Sequence, residues 1–292
     1  MATSPSLRRR RLAAELRGLR EQSGLSVTEA ARRLDWQASR ISRIENRQSG
    51  ITAPELRKLL DLYGTDDEQY RARLAELARR VNERGWWQKY AGLIGGDYAD
   101  LISLEAETRT IRAYEQELMP GLLQTPEYAY AVIRASRPTD TAEEVKRRVE
   151  IRTERQEILT RPDPPPPRFN VVLSEAALRR PVGGYDVMRA QLEYLLQPRD
   201  RANVTIQVLP FDAGVHPAMV GPFSVMTFPD PDDLGVVGVE NAIGTLFLED
   251  PYELRAYEEL WNALQASALS PDDSQTFLRS TSFGYRIREG MT

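Results

Sequence analysis

Residues 25–47 constrain this chain more than any other segment. They read Leu-Ser-Val-Thr-Glu-Ala-Ala-Arg-Arg-Leu-Asp-Trp-Gln-Ala-Ser-Arg-Ile-Ser-Arg-Ile-Glu-Asn-Arg. Ser26 is a natural helix cap, and Glu29 stands three residues on, the spacing of a capping box. A helix is therefore expected from Ser26 to Leu34, and another from Gln37 or Ala38 to near Arg47. At 100° per residue, Ile41 and Ile44 share the inward face of the second of these, and Leu25, Ala30 and Leu34 offer the apolar ground beneath it. The opposite face carries Ser39, Ser42, Arg43 and Asn46, with Arg40 and Arg47 on one flank.

Two short helices, a tight turn and an outward polar and basic face form the pattern of a helix-turn-helix, which lays its second helix in the major groove of DNA. Arg43 is the candidate base reader, because arginine pairs bidentately with guanine O6 and N7. Ser39 and Gln37 can meet a base edge, and Gln37 a phosphate as well. Arg40 and Arg47 are expected to position the helix on phosphates without reading sequence. Thr28 and Val27 begin the preceding helix, where backbone amides suit a phosphate. Glu45 is out of place among arginines that face phosphate. It points toward the interior, and an ion pair with Arg20 would clamp this helix to the first one.

The flanking sequence completes a small all-α domain. Leu12, Leu16 and Leu19 form a stripe on a helix from Leu7 to about Gln22, closed by Gly24. Thr52 caps and Pro54 opens a fourth helix that ends at Gly64, and a charged fifth runs from Thr65 to Arg84. Residues 1–6 are read as a disordered arm and 7–84 as the five-helix domain. Residues 7–64, and the string Ile-Ser-Arg-Ile-Glu-Asn above all, resemble the XRE/Cro/repressor class of helix-turn-helix domains. That resemblance implies a double-stranded operator as partner and a homodimer as binding unit. Charge agrees with it: residues 1–84 hold 18 Lys and Arg against 12 Asp and Glu, a net of +6. Residues 85–292 hold 21 against 31, a net of −10, which repels DNA and confines contact to the head.

From Gly85 the character changes. Helical patterns are read at 101–114, 125–135 and 141–160. Strand signals follow at 168–173, 204–209, 223–228, 236–240 and 245–249, with helices at 185–197, 251–268 and 271–282. Asp163 and the four prolines after it form a rigid linker within one domain. The expectation is an α+β domain with a small mixed sheet over 85–284, then a tail at 285–292. Several strings carry a second resemblance: Tyr-Glu-Gln-Glu-Leu-Met-Pro-Gly-Leu-Leu-Gln at 114–124, Arg-Thr-Glu-Arg-Gln-Glu-Ile-Leu-Thr at 152–160, Ser-Glu-Ala-Ala-Leu-Arg-Arg-Pro-Val-Gly-Gly at 174–184 and Gln-Val-Leu-Pro-Phe at 207–211. They are similar to an actinobacterial domain of unknown function that follows this type of head in WhiJ-like regulators. The resemblance implies an antitoxin-like transcriptional regulator working with a small BldB-like partner protein, and no established ligand or catalytic residue. Gly238 departs from it, since an aromatic residue is expected there; if the position lines a pocket, Gly238 enlarges it.

Candidate ligand or partner residues in this part are Arg109, Glu117, Arg152, Arg155, His216 and Glu240, with Glu154 and Glu175 beside them and Trp86 and Trp87 at its start. Arg152 and Arg155, at i,i+3, share a helix face and could grip a carboxylate or phosphate. The plainer alternative is intradomain salt bridges. For Trp86 and Trp87 it is packing of the head's last helix onto the body, and for His216 a loop histidine bonded to backbone. Glu240, at the end of a buried strand pattern, would need an arginine.

No cysteine and a single histidine leave no thiolate site and little for zinc or a catalytic triad. Phosphate-loop and nucleophile-elbow motifs are absent, so an enzyme is not expected, nor is any cofactor. No apolar run nears the roughly 20 residues of a membrane span, and the basic start is followed by an amphipathic helix, unlike a secretory signal. The cytoplasm, and the nucleoid when DNA is bound, is the expected location. Two inputs stay open for the body: a partner protein, or a small molecule that controls operator binding.

Overall fold

The computed structural model describes residues 7–46, 48–82, 85–90, 92–197, 202–229, 235–241 and 244–289. The chain divides into two compact units, Met1–Asp100 and Leu101–Thr292, so the division falls well after Arg84.

In the first unit, α1 (Leu7–Gln22), α2 (Val27–Leu34), α3 (Ala38–Glu45), α4 (Ala53–Leu62) and α5 (Glu68–Asn82) follow one another. Their ends have local causes. Gly24 and Gly64 hold positive φ values of 71° and 69°, which glycine adopts without a Cβ clash. The Ser26 hydroxyl accepts from the Glu29 amide at 3.1 Å. The reciprocal half of that capping box does not form, because the Glu29 carboxylate is held by Arg32 and Arg33. Thr52 and Glu55 do make both halves, with Pro54 in the first turn of α4. Leu12, Leu16, Ala30, Ile41, Ile44, Leu56, Leu59, Leu60 and Leu74 close into one core.

The second unit begins within α6 (Gly96–Glu105). Its sheet has the order β3-β2-β1-β4-β5-β6, from β1 (Thr110–Glu115), β2 (Arg168–Ser174), β3 (Val204–Leu209), β4 (Phe223–Thr227), β5 (Val236–Asn241) and β6 (Gly244–Leu248). β1, β2 and β3 are parallel, and β4, β5 and β6 add on antiparallel. Parallel neighbours need crossovers. α7 (Pro126–Ser136) and α8 (Ala142–Arg155) supply the first, and α9 (Glu175–Arg179) and α10 (Tyr185–Leu196) the second. On one face, Tyr114, Val172, Phe223, Val225 and Val237 pack with Leu254, Trp261 and Leu264 of α11 (Pro251–Ser267). α12 (Pro271–Glu289) lies along α10 and beside β3.

Two expectations are corrected. The helix expected over 101–114 ends at Glu105, where the Thr108 hydroxyl bonds back to the Leu104 carbonyl at 2.7 Å. Residues 110–115 are instead the strand between β2 and β4, and their apolar side chains fit period 2 once both neighbours are present. The tail expected from 285 is helix as far as Glu289. Tyr285 is buried there, and its hydroxyl donates to the Leu178 carbonyl at 3.2 Å.

Candidate nucleic-acid interface

α3 is short and seated by Ile41 and Ile44, which are 1% and 3% exposed. That seating turns Ser39, Arg43 and Asn46 outward, all exposed, with Gln37 exposed at the N-cap position. Gln37 makes no side-chain cap bond, so its amide is not occupied by the helix. Arg43 bonds by Nε to the Ser39 carbonyl at 3.3 Å, one turn back. This leaves both terminal nitrogens of its guanidinium without a partner among the described residues. Ser42 is half-buried and accepts from Asn46 Nδ2 at 3.1 Å. Thr28 is exposed in the first turn of α2. Arg47 lies outside the described residues.

Two arginines hold α3 in place. Arg20 on α1 donates from Nε and Nη2 to the two carboxylate oxygens of Glu45, at 2.7 and 3.0 Å, and from Nη1 to the Leu25 carbonyl at 2.7 Å. Its side chain is 9% exposed and that of Glu45 is 7%. Arg40, where a phosphate contact is expected, makes the second clamp. Its Nε and Nη2 bind the Glu55 carboxylate at 2.9 and 2.8 Å, its Nη1 binds Ser49 Oγ at 2.8 Å, and Nη2 also reaches the Gly50 carbonyl at 3.0 Å. A guanidinium with its donors so filled ties α3 to α4 and has little left for a phosphate. Arg40 and the Thr52 bonds hold the Glu55 carboxyl at about 2. Exposed Arg57 and Lys58 on α4 were not singled out from sequence, since nothing but their charge marks them.

Residues 11–77 match the helix-turn-helix domain family. Residues 98–280 match the domain of unknown function DUF5753. The chain belongs to the DUF5753 family. No curated protein and no solved structure matches it. With its XRE-type head, this DUF5753 chain is a DNA-binding transcriptional regulator. Among the described residues no helix is long and apolar enough to cross a membrane.

The structure separates the body's candidate residues. Arg155 is buried and bound through Nε and Nη2 to Glu105 on α6 at 2.6 and 2.9 Å. Arg152 donates Nη1 to Gln124 Oε1 at 2.6 Å, while its buried Nε has no partner. The two arginines therefore do not act as one anion grip. Glu117 pairs with Arg180 at the surface. Glu175 pairs with Arg179 and accepts from the Phe211 amide at 2.8 Å. Arg109 is exposed, and its backbone extends β1 toward Thr227. Glu240, expected to be buried, is exposed because it stands past the covered part of β5; no arginine is needed there.

His216 is half-buried, with Nε2 3.4 Å from the Tyr114 hydroxyl and a buried Nδ1 without a partner. Burial lowers its pKa, and burial raises that of Tyr114 to about 12. Its bond is to a side chain rather than to backbone. Trp86 and Trp87 form part of a single 3-10 turn, half-buried, with their rings edge to face at 6.1 Å. Gly238 does not enlarge a pocket: a Cβ there would stand 2.9 Å from Ser224 Oγ. Glu105 and Glu115 carry no local signal of their own: Glu105 lies within the helical pattern at 101–114 and Glu115 directly follows it.

Proposed function

We propose that this regulator binds a specific operator as a homodimer, with α3 in the major groove and Arg43 reading guanine. The observation that carries the reading is the doubly clamped α3. Its outward row Gln37, Ser39, Arg43 and Asn46 is exposed, while the inward carboxylate Glu45 is neutralised by Arg20. Thr28 adds a backbone contact from α2, and Arg47 a phosphate contact. Two such helices about 34 Å apart fit a pseudo-palindrome. The DUF5753 unit takes the input, a small BldB-like partner in an antitoxin-like pairing. Its apolar side chains at Phe211, Val215, Met219 and Val220, 58%, 91%, 57% and 90% exposed, support a protein partner.

Binding-site selection with wild type and Arg43→Ala tests the reading. The wild type enriches a pseudo-palindrome. The variant loses preference at one base pair per half-site, by about 1–3 kcal/mol, and keeps salt-dependent nonspecific binding. An unchanged selected sequence in Arg43→Ala would refute the assignment.

A further inference from the structure

The sheet of the DUF5753 unit treats its two edges differently. β3, at one end, is covered. Its Val208 amide donates to Ser274 Oγ at 2.9 Å, its Val208 carbonyl accepts from the Leu269 amide at 2.9 Å, and α12 lies alongside. β6, at the other end, pairs among the described residues with β5 alone. Proteins blunt a bare edge with charge, proline or a bulge. β6 reads Gly-Thr-Leu-Phe-Leu, with no charge and no proline, and its register to β5 runs without a bulge. Leu246, at its centre, is 55% exposed.

The register shows which backbone groups are free. Asn241 pairs with Gly244 across a connection of two residues, and a closing pair of this kind exchanges both backbone bonds. Hydrogen-bonded and non-hydrogen-bonded pairs alternate from there. Gly244, Leu246 and Leu248 therefore turn their N–H and C=O groups to β5. Those of Thr245 and Phe247 point away from the sheet, and no described residue bonds them.

Such a row of donors and acceptors is completed by an extended strand. A second copy of β6 fits it. In an antiparallel pair centred on Leu246, Thr245 of each copy stands opposite Phe247 of the other, and each pair exchanges both backbone bonds. The two Leu246 side chains then meet in a non-hydrogen-bonded pair, the closer kind. Charge favours this register. The two copies of Glu249 lie about 20 Å apart in it, whereas a parallel pair would set Glu249 on Glu249 and Asp250 on Asp250. Units that each include a net −10 over residues 85–292 repel one another, and an uncharged strand is where they can approach.

We propose that two chains join β6 to β6 across a two-fold axis at Leu246, continuing one sheet through both DUF5753 units. The proposal rests on the homodimer reading and supplies its surface. It does not use the apolar loop of Phe211, Val215, Met219 and Val220.

The chain has no cysteine, so Leu246→Cys puts a lone thiol on the axis, close enough to its copy for a disulfide. Mild oxidation of the full chain should convert this variant largely to a covalent dimer. Tyr252→Cys, at a position 75% exposed and off the axis, should stay largely monomeric. In sedimentation the wild type should self-associate in the micromolar range, as a small contact does. Leu246→Lys opposes two ammonium groups, and Thr245→Pro removes an outward donor while keeping the bonds to β5. Each should weaken the dimer at least about tenfold, with the melting temperature of the dilute chain unchanged. A strand from another protein on this edge would leave the purified wild type monomeric. A monomeric wild type, a dimer that survives both substitutions, or equal cross-linking of the two cysteine variants overturns the proposal. The homodimer reading has its own readout, the number of chains per operator by native mass spectrometry. Two chains on the operator with a dimer indifferent to Leu246→Lys would remove this surface and keep that reading.

Discussion

Breaking the Arg20–Glu45 pair should loosen α3 more than an ordinary ion pair would. The guanidinium meets both oxygens of the carboxylate, at 2.7 and 3.0 Å, and both side chains are nearly closed to water. Removing one partner leaves a buried charge alone, which costs about 3–5 kcal/mol. Arg20→Met should be the worse of the two single variants, because the Leu25 carbonyl also loses its donor, about 1 kcal/mol more. Glu45→Leu, the other single variant, removes the carboxylate and leaves the guanidinium of Arg20 unpaired by it. The double variant Arg20→Met, Glu45→Leu removes both charges together and should recover much of the loss, since a buried pair is replaced by apolar side chains. A coupling energy of about 2 kcal/mol or more is expected from the cycle. Hydrogen exchange read by mass spectrometry on the full chain gives it, as protection of α1–α3 amides separately from the DUF5753 unit. The single variants should also bind specific and nonspecific DNA more weakly alike. A coupling below about 1 kcal/mol, the range of exposed pairs, would refute the clamp.

Arg40→Ala should lower the head's stability by about 1 kcal/mol, a figure reduced for the quarter-exposed pair, and leave the salt slope of DNA binding unchanged. Its pH dependence has a fixed sign: Glu55 is depressed to about 2, so the pair stabilises fully above the ordinary carboxylate value. The difference between wild type and Arg40→Ala in urea unfolding should therefore shrink as pH falls from about 4.5 toward 2. Truncation after Gly284 removes buried Tyr285 and its bond to Leu178, and should destabilise the DUF5753 unit by about 3–5 kcal/mol in thermal unfolding; a change under about 1 kcal/mol would return this segment to a tail.

Much of this protein was legible in its residues taken alone. Caps and breakers act within three or four residues, so Gly24, Ser26, Thr52 and Gly64 delimit the head's helices without reference to the fold. The inward Ile41 and Ile44 and the outward Ser39 and Arg43 follow from helical period, and five of the six strands are marked by apolar, β-branched runs of their own. Tertiary structure decided what depends on partners remote in sequence. Thr110–Glu115 suits helix or strand locally and becomes a strand because Arg168–Leu173 and Phe223–Thr227 bond to it on either side. Arg40 is basic on the flank of α3 whatever it does; that it pairs with Glu55, fifteen residues on, is set by the packing of α3 against α4. Glu115 and Glu240 come to the same face of the sheet through strand register, which no local pattern encodes. Local hydrogen bonds and periodicity are properties of a segment, while the allocation of each charge to a partner is a property of the whole fold.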